Sequence, residues 1–380
     1  MPSILFYIAA ALLLVQLLYY FGIYHRIYRY NRASQRGEIH FHNDCPPLSV
    51  IITASDEAEQ LRRNLPAILT QDYPDYEVIV IDDGRSAETE DLLTLLEDQY
   101  PHLYHSFVPA SSRYVSRRKL AITLGIKAAK YDWVVLTHAD CRPESNQWLR
   151  LMARHFTPHT QVVLGHSGYR PGKGWLPRMA DFDLLLGSMR RWGFALAGMP
   201  YTGIGRNLAY RKELFYQVKG FSSHLHLQRG EDDLFVNQVA HADNTRVECS
   251  PAAAMRRDPL VRSKEWWSEK TNYTYTSRYC RGAQRWLAGG ETCSRLCFYG
   301  CNTAALVTAL LATAWWMAGA ALLLGVIRWG VQLYVFRQAA RSLGESHRYY
   351  TSLPLFDLLQ PLQSLRCKIA ARFLRATRSA

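Results

Sequence analysis

The chain has 380 residues, 48% of them hydrophobic, with a formal net charge of +13 and a pI near 9.4. Its length allows one large domain or two smaller ones, and the positive balance suits nucleic acid, anionic lipid headgroups or phosphorylated substrates. Eight cysteines at irregular spacing, without a Cys-x-x-Cys pair, exclude a small disulfide scaffold and point to a reducing compartment with free thiols.

The first predicted element is a membrane anchor. Ile4 to Ile23 is an apolar run of 20 residues broken only by Gln16. At about 1.5 Å per residue, a helix of that length crosses the ~30 Å hydrocarbon core. No small-residue cleavage site follows, so the run reads as a retained anchor. Arg26, Arg29, Arg32 and Arg36 come directly after it, which places the following residues on the cytoplasmic side of a cell inner membrane.

From Leu48 the pattern changes to strands alternating with helices, the rhythm of a parallel sheet. "LSVIITA" (residues 48–54), "YEVIVID" (76–82) and "WVVLTHAD" (133–140) read as buried strands. "AEQLRRNLPAILTQ", "EDLLTLLEDQY" and "RRKLAITLGIKAAK" read as helices between them. In such sheets ligands bind at the carboxyl ends of the strands. Acids stand at three of these ends: Asp56 and Glu57, Asp82 and Asp83, then Asp140. One strand-end acid is commonly a helix cap; three in successive units point to a site.

A second apolar block runs from Phe298 to Phe336 with Arg328 as its only charge. It is too long for one span and predicts a helical hairpin, with the small residues Ala318 to Ala321 near the turn. The tail from Leu353 alternates apolar and basic residues. It predicts a helix lying at the membrane interface, with Arg366, Lys368, Arg372, Arg375 and Arg378 toward anionic lipid. Trp266 and Trp267 are expected at the interface or stacked on a sugar. The membrane thereby accounts for much of the positive charge, and no nucleic-acid motif is present. The implied division is an anchor (1–24), a basic juxtamembrane linker (25–46), a cytoplasmic catalytic domain (47–295), a transmembrane hairpin (296–336) and a basic interfacial tail (337–380).

Five segments in order, "SVIITASDEAEQL", "YPDYEVIVIDDGRS", "RRKLAITLGIKAAKYDWVVLTHADCRP", "GIGRNLAYRKELF" and "GEDDLFVNQVA", make the chain from Leu48 to about Gly282 resemble the family 2 glycosyltransferases in their membrane-anchored bacterial, cellulose-synthase-like form. The resemblance implies an α/β fold of GT-A type, a Rossmann-like, mostly parallel sheet, with flanking transmembrane helices. It implies inverting transfer of a sugar from a nucleotide-diphosphate donor to a glycan or lipid-linked acceptor, with Mg²⁺ or Mn²⁺ at the diphosphate. By position in the motifs, Asp140 matches the metal carboxylate. Asp83 with Asp82, and Asp56 with Glu57, match the nucleoside grip, and Lys119 lies near the donor or is one more solvated cation. Glu231-Asp232 matches the catalytic pair with Asp232 as general base, Asp233 being the alternative by one register step. Gly205, Arg206 and Asn207 match the acceptor side.

Two departures fall on the diphosphate and its metal. His138 stands where the family has a second Asp, and is expected either as an altered metal ligand or as a side chain that points into solvent or hydrogen-bonds a neighbour. Glu269 and Asn272-Tyr273 stand where the family has Gln or Arg, two spacers, and Arg followed by Trp or His. They leave open an impaired enzyme that binds a partner or glycan. A nucleotidyltransferase on a similar sheet is a further alternative, although "TASDEAEQ" lacks the Gly and Lys of a phosphate loop. Neither the sugar, the acceptor nor the oligomeric state is legible.

Overall fold

The computed structural model describes residues 2–84, 86–109, 116–345 and 352–376, the side chains of 374–376 excepted. The N-terminal apolar run folds as α1 (Pro2–Tyr19), passes through one π-helical stretch (Tyr20–Tyr24) and continues as α2 (Arg26–Gln35). The expected linker therefore begins as helix. Tyr20, Tyr24 and Ile27, at helical spacing, are buried in the main core, and Asn31 Nδ2 donates to Ser342 O at 2.9 Å. Arg29 and Arg32 of α2 are exposed, while Arg26 donates to Leu196 O at 3.3 Å, so the helix is fastened to the body.

The sheet units then follow: β1 (Leu48–Ala54), α3 (Ala58–Leu69), β2 (Tyr76–Asp82), α4 (Ala87–Gln99), β3 (Leu103–Phe107), α5 (Arg117–Ala128) and β4 (Trp133–His138). These four strands are parallel, in the spatial order β3-β2-β1-β4. β1, β2 and β4 are covered on both faces and read as near-continuous apolar runs, while β3, at the sheet edge, is largely half-buried or exposed. Along β1, Val50 and Ile52 enter one core and Ile51 the other. The register aligns Ala54 with Asp82 and Thr53 with His138, which sets the three acidic strand ends along one edge.

The chain continues through β5 (Cys141–Pro143), α6 (Trp148–Ala153), β6 (Val162–Gly165), β7 (Ser167–Tyr169), α7 (Trp175–Leu196), β8 (Leu208–Arg211), α8 (Lys212–Gln217), α9 (Asp233–Val239), β9 (Thr245–Glu248), β10 (Met255–Arg257) and α10 (Ser263–Thr276). β8 pairs antiparallel with both β4 and β6, and β9 closes the seven-stranded sheet. β5, β10 and β7 form a small second sheet whose register sets Arg257 opposite Cys141. That pairing carries a basic side chain to the tip of β4.

Three helices complete the structure: α11 (Gln284–Leu311), α12 (Trp315–Ser342) and α13 (Leu353–Ala376). The expected hairpin forms, but its turn lies at Ala312–Ala314, where Thr313 adopts a left-handed φ of 51°. Ala318 and Ala321 instead lie buried within α12, where small side chains allow close helix approach. Both expected boundaries, at 295/296 and 336/337, fall inside continuous helices. Among the described residues, Pro2–Gln35 and Trp315–Ser342 are long and apolar enough to cross a membrane. α11 is as long as α12, but its first half carries Arg285, Glu291 and Arg295.

The tail helix also differs from expectation. Asp357 of α13 is fully buried and is bonded to Arg295 and Arg328, so one face of α13 docks on the helix bundle. Arg366 lies over the Trp267 ring at 4.1 Å, while Trp266 is buried beside Tyr169 and Leu260. Arg378 falls outside the described residues, as does the side chain of Arg375. All eight cysteines are free thiols, as their spacing suggested.

Candidate active site

The aligned strand ends open into a cleft of about 640 Å³. Glu57 and Asp83 line it from the first two units, and His138 and Asp140 from the third. Asp82 is turned to a different use. Its Oδ1 accepts from Gly84 N at 3.1 Å and from Asp56 N at 3.4 Å, tying the loops after β1 and β2 together. Asp56 sits in the left-handed region at φ 55°, and its Oδ1 accepts from Ser86 N at 2.9 Å. It comes so close to Gly84 that a Cβ there would lie 2.1 Å from Asp56 Oδ1. Asp82 is thus a buried brace, and Glu57 with Asp83 present the carboxylates. Burial, and then the charge of Asp140, push the Glu57 carboxyl up to about 7.

Lys119 does not reach the cleft. It is buried, and its Nζ donates to His224 O at 2.6 Å and Leu227 O at 2.8 Å, holding the loop that precedes the acidic turn. Burial lowers its pKa to about 8. Its neighbour Arg118, one step round the helix, faces the cleft instead. Arg118 Nε lies 3.2 Å from Glu231 Oε1, and Arg118 Nη2 donates to His138 Nε2. The lone pair that a metal would need on His138 Nε2 is therefore taken by a neighbour. Burial, and then Arg118, Arg206, Arg229 and Arg257, hold the His138 pKa well below its ordinary value, so the ring is neutral.

The opposite wall carries the acidic turn. Asp232 caps α9, with Oδ1 accepting from Asp233 N at 2.8 Å. Its Oδ2 accepts from Gly205 N and from Tyr273 Oη, each at 2.9 Å. The helix-cap reading of this turn and the catalytic one are thus served by different oxygens of one carboxylate. Asp233 is buried, with Oδ1 accepting from Leu234 N and Oδ2 from Thr276 Oγ1. Burial, and then the charge of Asp232, raise its pKa to about 8, so it is protonated at neutral pH.

Asn207 is corrected outright. It is fully buried, its Nδ2 donates to His166 O and Ala253 O, and its Oδ1 accepts from Trp148 Nε1. Nothing of its amide is left for a sugar. Arg206 does face the cleft, where its Nη2 donates to Glu269 Oε1 at 2.6 Å. Arg257 Nη1 donates to Glu269 Oε2 at 2.9 Å, and its Nε lies 3.7 Å from Asp140 Oδ2. The two arginines hold the Glu269 carboxyl down at about 2, against the effect of its burial.

The sequence reading named Arg206, for the acceptor side, and missed the other cations of the cleft. The cleft is lined by Arg118, Arg206, Arg229, Arg257, Arg262 and Lys264, enough positive charge to face a diphosphate. Among the described residues, no group of three or more His, Cys, Asp or Glu side chains is arranged to hold a metal. A hard cation commonly takes one carboxylate together with substrate phosphates and water, and the cleft-facing Asp140 fits that donor set.

Comparison with known proteins agrees with this geometry. The chain is 22% identical over 292 residues to a probable glycosyltransferase, YdaM, of Bacillus subtilis, covering 73% of this chain and 67% of that protein. It is 26% identical over 216 residues to a poly-beta-1,6-N-acetyl-D-glucosamine synthase of Staphylococcus epidermidis, covering 56% of this chain and spanning 50% of the synthase's length. Its fold is that of a mannosyltransferase from Pyrobaculum calidifontis solved with GDP-Man and Mn²⁺, with a TM-score of 0.54 at 20% identity, over 89% of this chain and 98% of that one. The sheet with its strand-end cleft is a GT-A fold. Residues 49–262, more than half of the chain, match the sequence model of glycosyl transferase family 2, and the chain belongs to that family and is a glycosyltransferase.

Proposed function

We propose that the protein transfers a sugar, with inversion, from a nucleoside-diphosphate sugar to a hydroxyl of a glycan or lipid-linked acceptor at a membrane surface. The observation that carries this reading is the orientation of Asp232. Its Oδ2 is fixed by Gly205 N and Tyr273 Oη, and the carboxylate faces the cleft that Asp140 and the arginines line. A carboxylate so held can take the proton of an attacking hydroxyl. Asp233, neutral near pH 7, is the poorer base, which favours the Asp232 register. With Asp232 taking the proton of the acceptor hydroxyl as that hydroxyl attacks, a single displacement inverts the anomeric centre.

Glu57 and Asp83, with Asp56 at the rim, would contact the nucleoside, while Arg257 and Arg206 would meet the diphosphate. Asp140 would hold the divalent cation, Mg²⁺ or Mn²⁺. That cation, when bound, neutralises charge on the departing diphosphate. His138 contributes as a neutral brace on Arg118. Exposed Leu14, Leu18, Trp315, Leu322 and Leu323 support insertion of α1 and α12 in a bilayer. The arginines of α2 support a catalytic domain on the cytoplasmic side.

The test is to incubate the full chain, in detergent, with a panel of UDP- and GDP-sugars and to follow nucleoside diphosphate release. Release from one donor, falling about a hundredfold on chelation of divalent cations, is expected. Release that is indifferent to chelator, or absent for every donor while nucleotides still bind, would contradict the reading.

A further inference from the structure

A second chamber of about 250 Å³ lies on the other side of the wall formed by Tyr273, Asp233 and Glu269. α7, the Tyr201–Ile204 loop, α10 and Gln360 of α13 enclose it. Tyr169, Tyr201 and Trp266 contribute aromatic surface, and its volume is of the order of one sugar ring. Four cations reach it: Arg190, Arg191, Arg206 and Lys270. Three of them are paired. Arg190 binds Glu291 and Thr292, Arg206 binds Glu269, and Lys270 binds Asp183.

Arg191 is different. Among the described residues, no carboxylate lies within ion-pair distance of it. Its Nη2 reaches Ser188 Oγ at 3.3 Å, and its buried Nε has no hydrogen-bond partner. The guanidinium lies against Gly187, one turn earlier in α7, where a Cβ would come 3.0 Å from Arg191 Nη1. The chamber therefore keeps one guanidinium with no carboxylate partner among the described residues and with its Nε unpartnered, and the residue that would crowd it is a glycine. Leaving a charged donor unsatisfied is costly, and a guanidinium fork matches a phosphate.

We propose that this chamber is the acceptor subsite and that it selects acceptors carrying a phosphate group, bound by Arg191. This rests on the glycosyltransferase reading above. The shared wall supplies the geometry: Tyr273, whose hydroxyl donates to Asp232 in the donor cleft, also lines the chamber, so an acceptor seated here adjoins the side chain that holds the base. α13, which supplies Gln360 to the chamber, is bonded through Asp357 to α11 and α12, so the chamber adjoins the helix bundle. A phosphate on a lipid carrier and a phosphate on a soluble sugar present the same group to Arg191.

The full chain in detergent is titrated with farnesyl phosphate, glucose 1-phosphate, farnesol and glucose, following tryptophan fluorescence, since Trp266 lines the chamber. Wild type is expected to bind at least one phosphate probe about tenfold or more tightly than its neutral counterpart. Preference for farnesyl phosphate alone supports the lipid source, and preference for glucose 1-phosphate alone the soluble one. Arg191→Gln should erase the preference and Arg191→Lys should restore part of it. Binding of GDP and UDP with Mn²⁺ in the same samples reports on the donor cleft, so failure there is distinguishable from failure here. Equal binding of phosphate and neutral probes by wild type, or an undiminished preference in Arg191→Gln, would overturn the proposal.

Discussion

One arginine–carboxylate–arginine triad in the cleft and one in the helix bundle differ in how far water reaches them. In the cleft, Arg206 and Arg257 grip Glu269 at 2.6 and 2.9 Å. In the bundle, Arg295 and Arg328 each grip Asp357 at 2.7 Å. The difference is access: 27% of the Glu269 side chain is exposed, and none of Asp357. Asp357 is also bonded by Tyr299, and the flanking arginines are completed by Gln360, Gln332, Gln16 and Tyr20. A sealed triad so bonded, in which the Nε atoms of Arg295 and Arg328 stay without a partner, holds α11, α12 and α13 together. An open one, next to Asp140, leaves two guanidiniums able to exchange an internal carboxylate for a ligand's phosphate.

The sharpest way to break this contrast is Asp357→Ala. It leaves the buried Arg328 without a carboxylate partner and Arg295 with Glu291 at 3.5 Å in place of two carboxylates, and should cost about 3–5 kcal/mol of stability. Thermal unfolding in detergent reads it, and a variant as stable as wild type would mean that the bundle triad is not structural. Glu269→Gln should cost less, about 1–2 kcal/mol, because water reaches its arginines. The pH dependence sharpens the point. Because the folded-state pKa of Glu269 is lowered to about 2 from 4.5, its contribution is present above pH 4.5 and is lost as pH falls through 2. The stability gap between wild type and Glu269→Gln should accordingly be constant from pH 8 to about 5 and shrink below that; a gap that widens on acidification contradicts the assignment. Asp233→Asn should have the smallest effect near pH 7, under about threefold in turnover, since the carboxamide mimics a carboxyl already protonated at that pH. The raised pKa of Asp233 makes its contribution to wild-type stability fall as pH rises from about 4 through 8. The asparagine variant should therefore gain relative to wild type over that range, and a relative loss would place a charged Asp233 in the folded protein.

The half of the site built on strand ends was legible in the sequence, and the half built on pairing between distant segments was not. The strands at 48–54 and 76–82 stood out because burial on both faces writes an unbroken apolar run, and their acids follow directly. β8 lay inside "GRNLAYRKELF", too short to separate from a loop before a helix, so its antiparallel insertion and the burial of Asn207 were hidden. Arg257 reaches Asp140 only through the pairing of β10 with β5, which no local pattern announces. Lys119 and Arg118 differ by one position in "RRK"; about 100° of helix rotation decides which one faces the cleft, and neighbouring charges blur that phase. The bundle carried one signal that the sequence analysis left unused, the single charge Arg328 in an apolar block, whose buried partner proves to be Asp357.

The account stands on Asp232 as the base of a nucleotide-sugar transferase. The most direct measurement is nucleoside diphosphate release by wild type and Asp232→Asn with the donor found in the panel, alongside the affinity of each for the nucleoside diphosphate and Mn²⁺. Turnover in Asp232→Asn should fall about 10²–10⁴-fold, with nucleotide affinity within about threefold of wild type. Retention of full turnover by Asp232→Asn, with its loss in Asp233→Asn instead, would contradict the assignment.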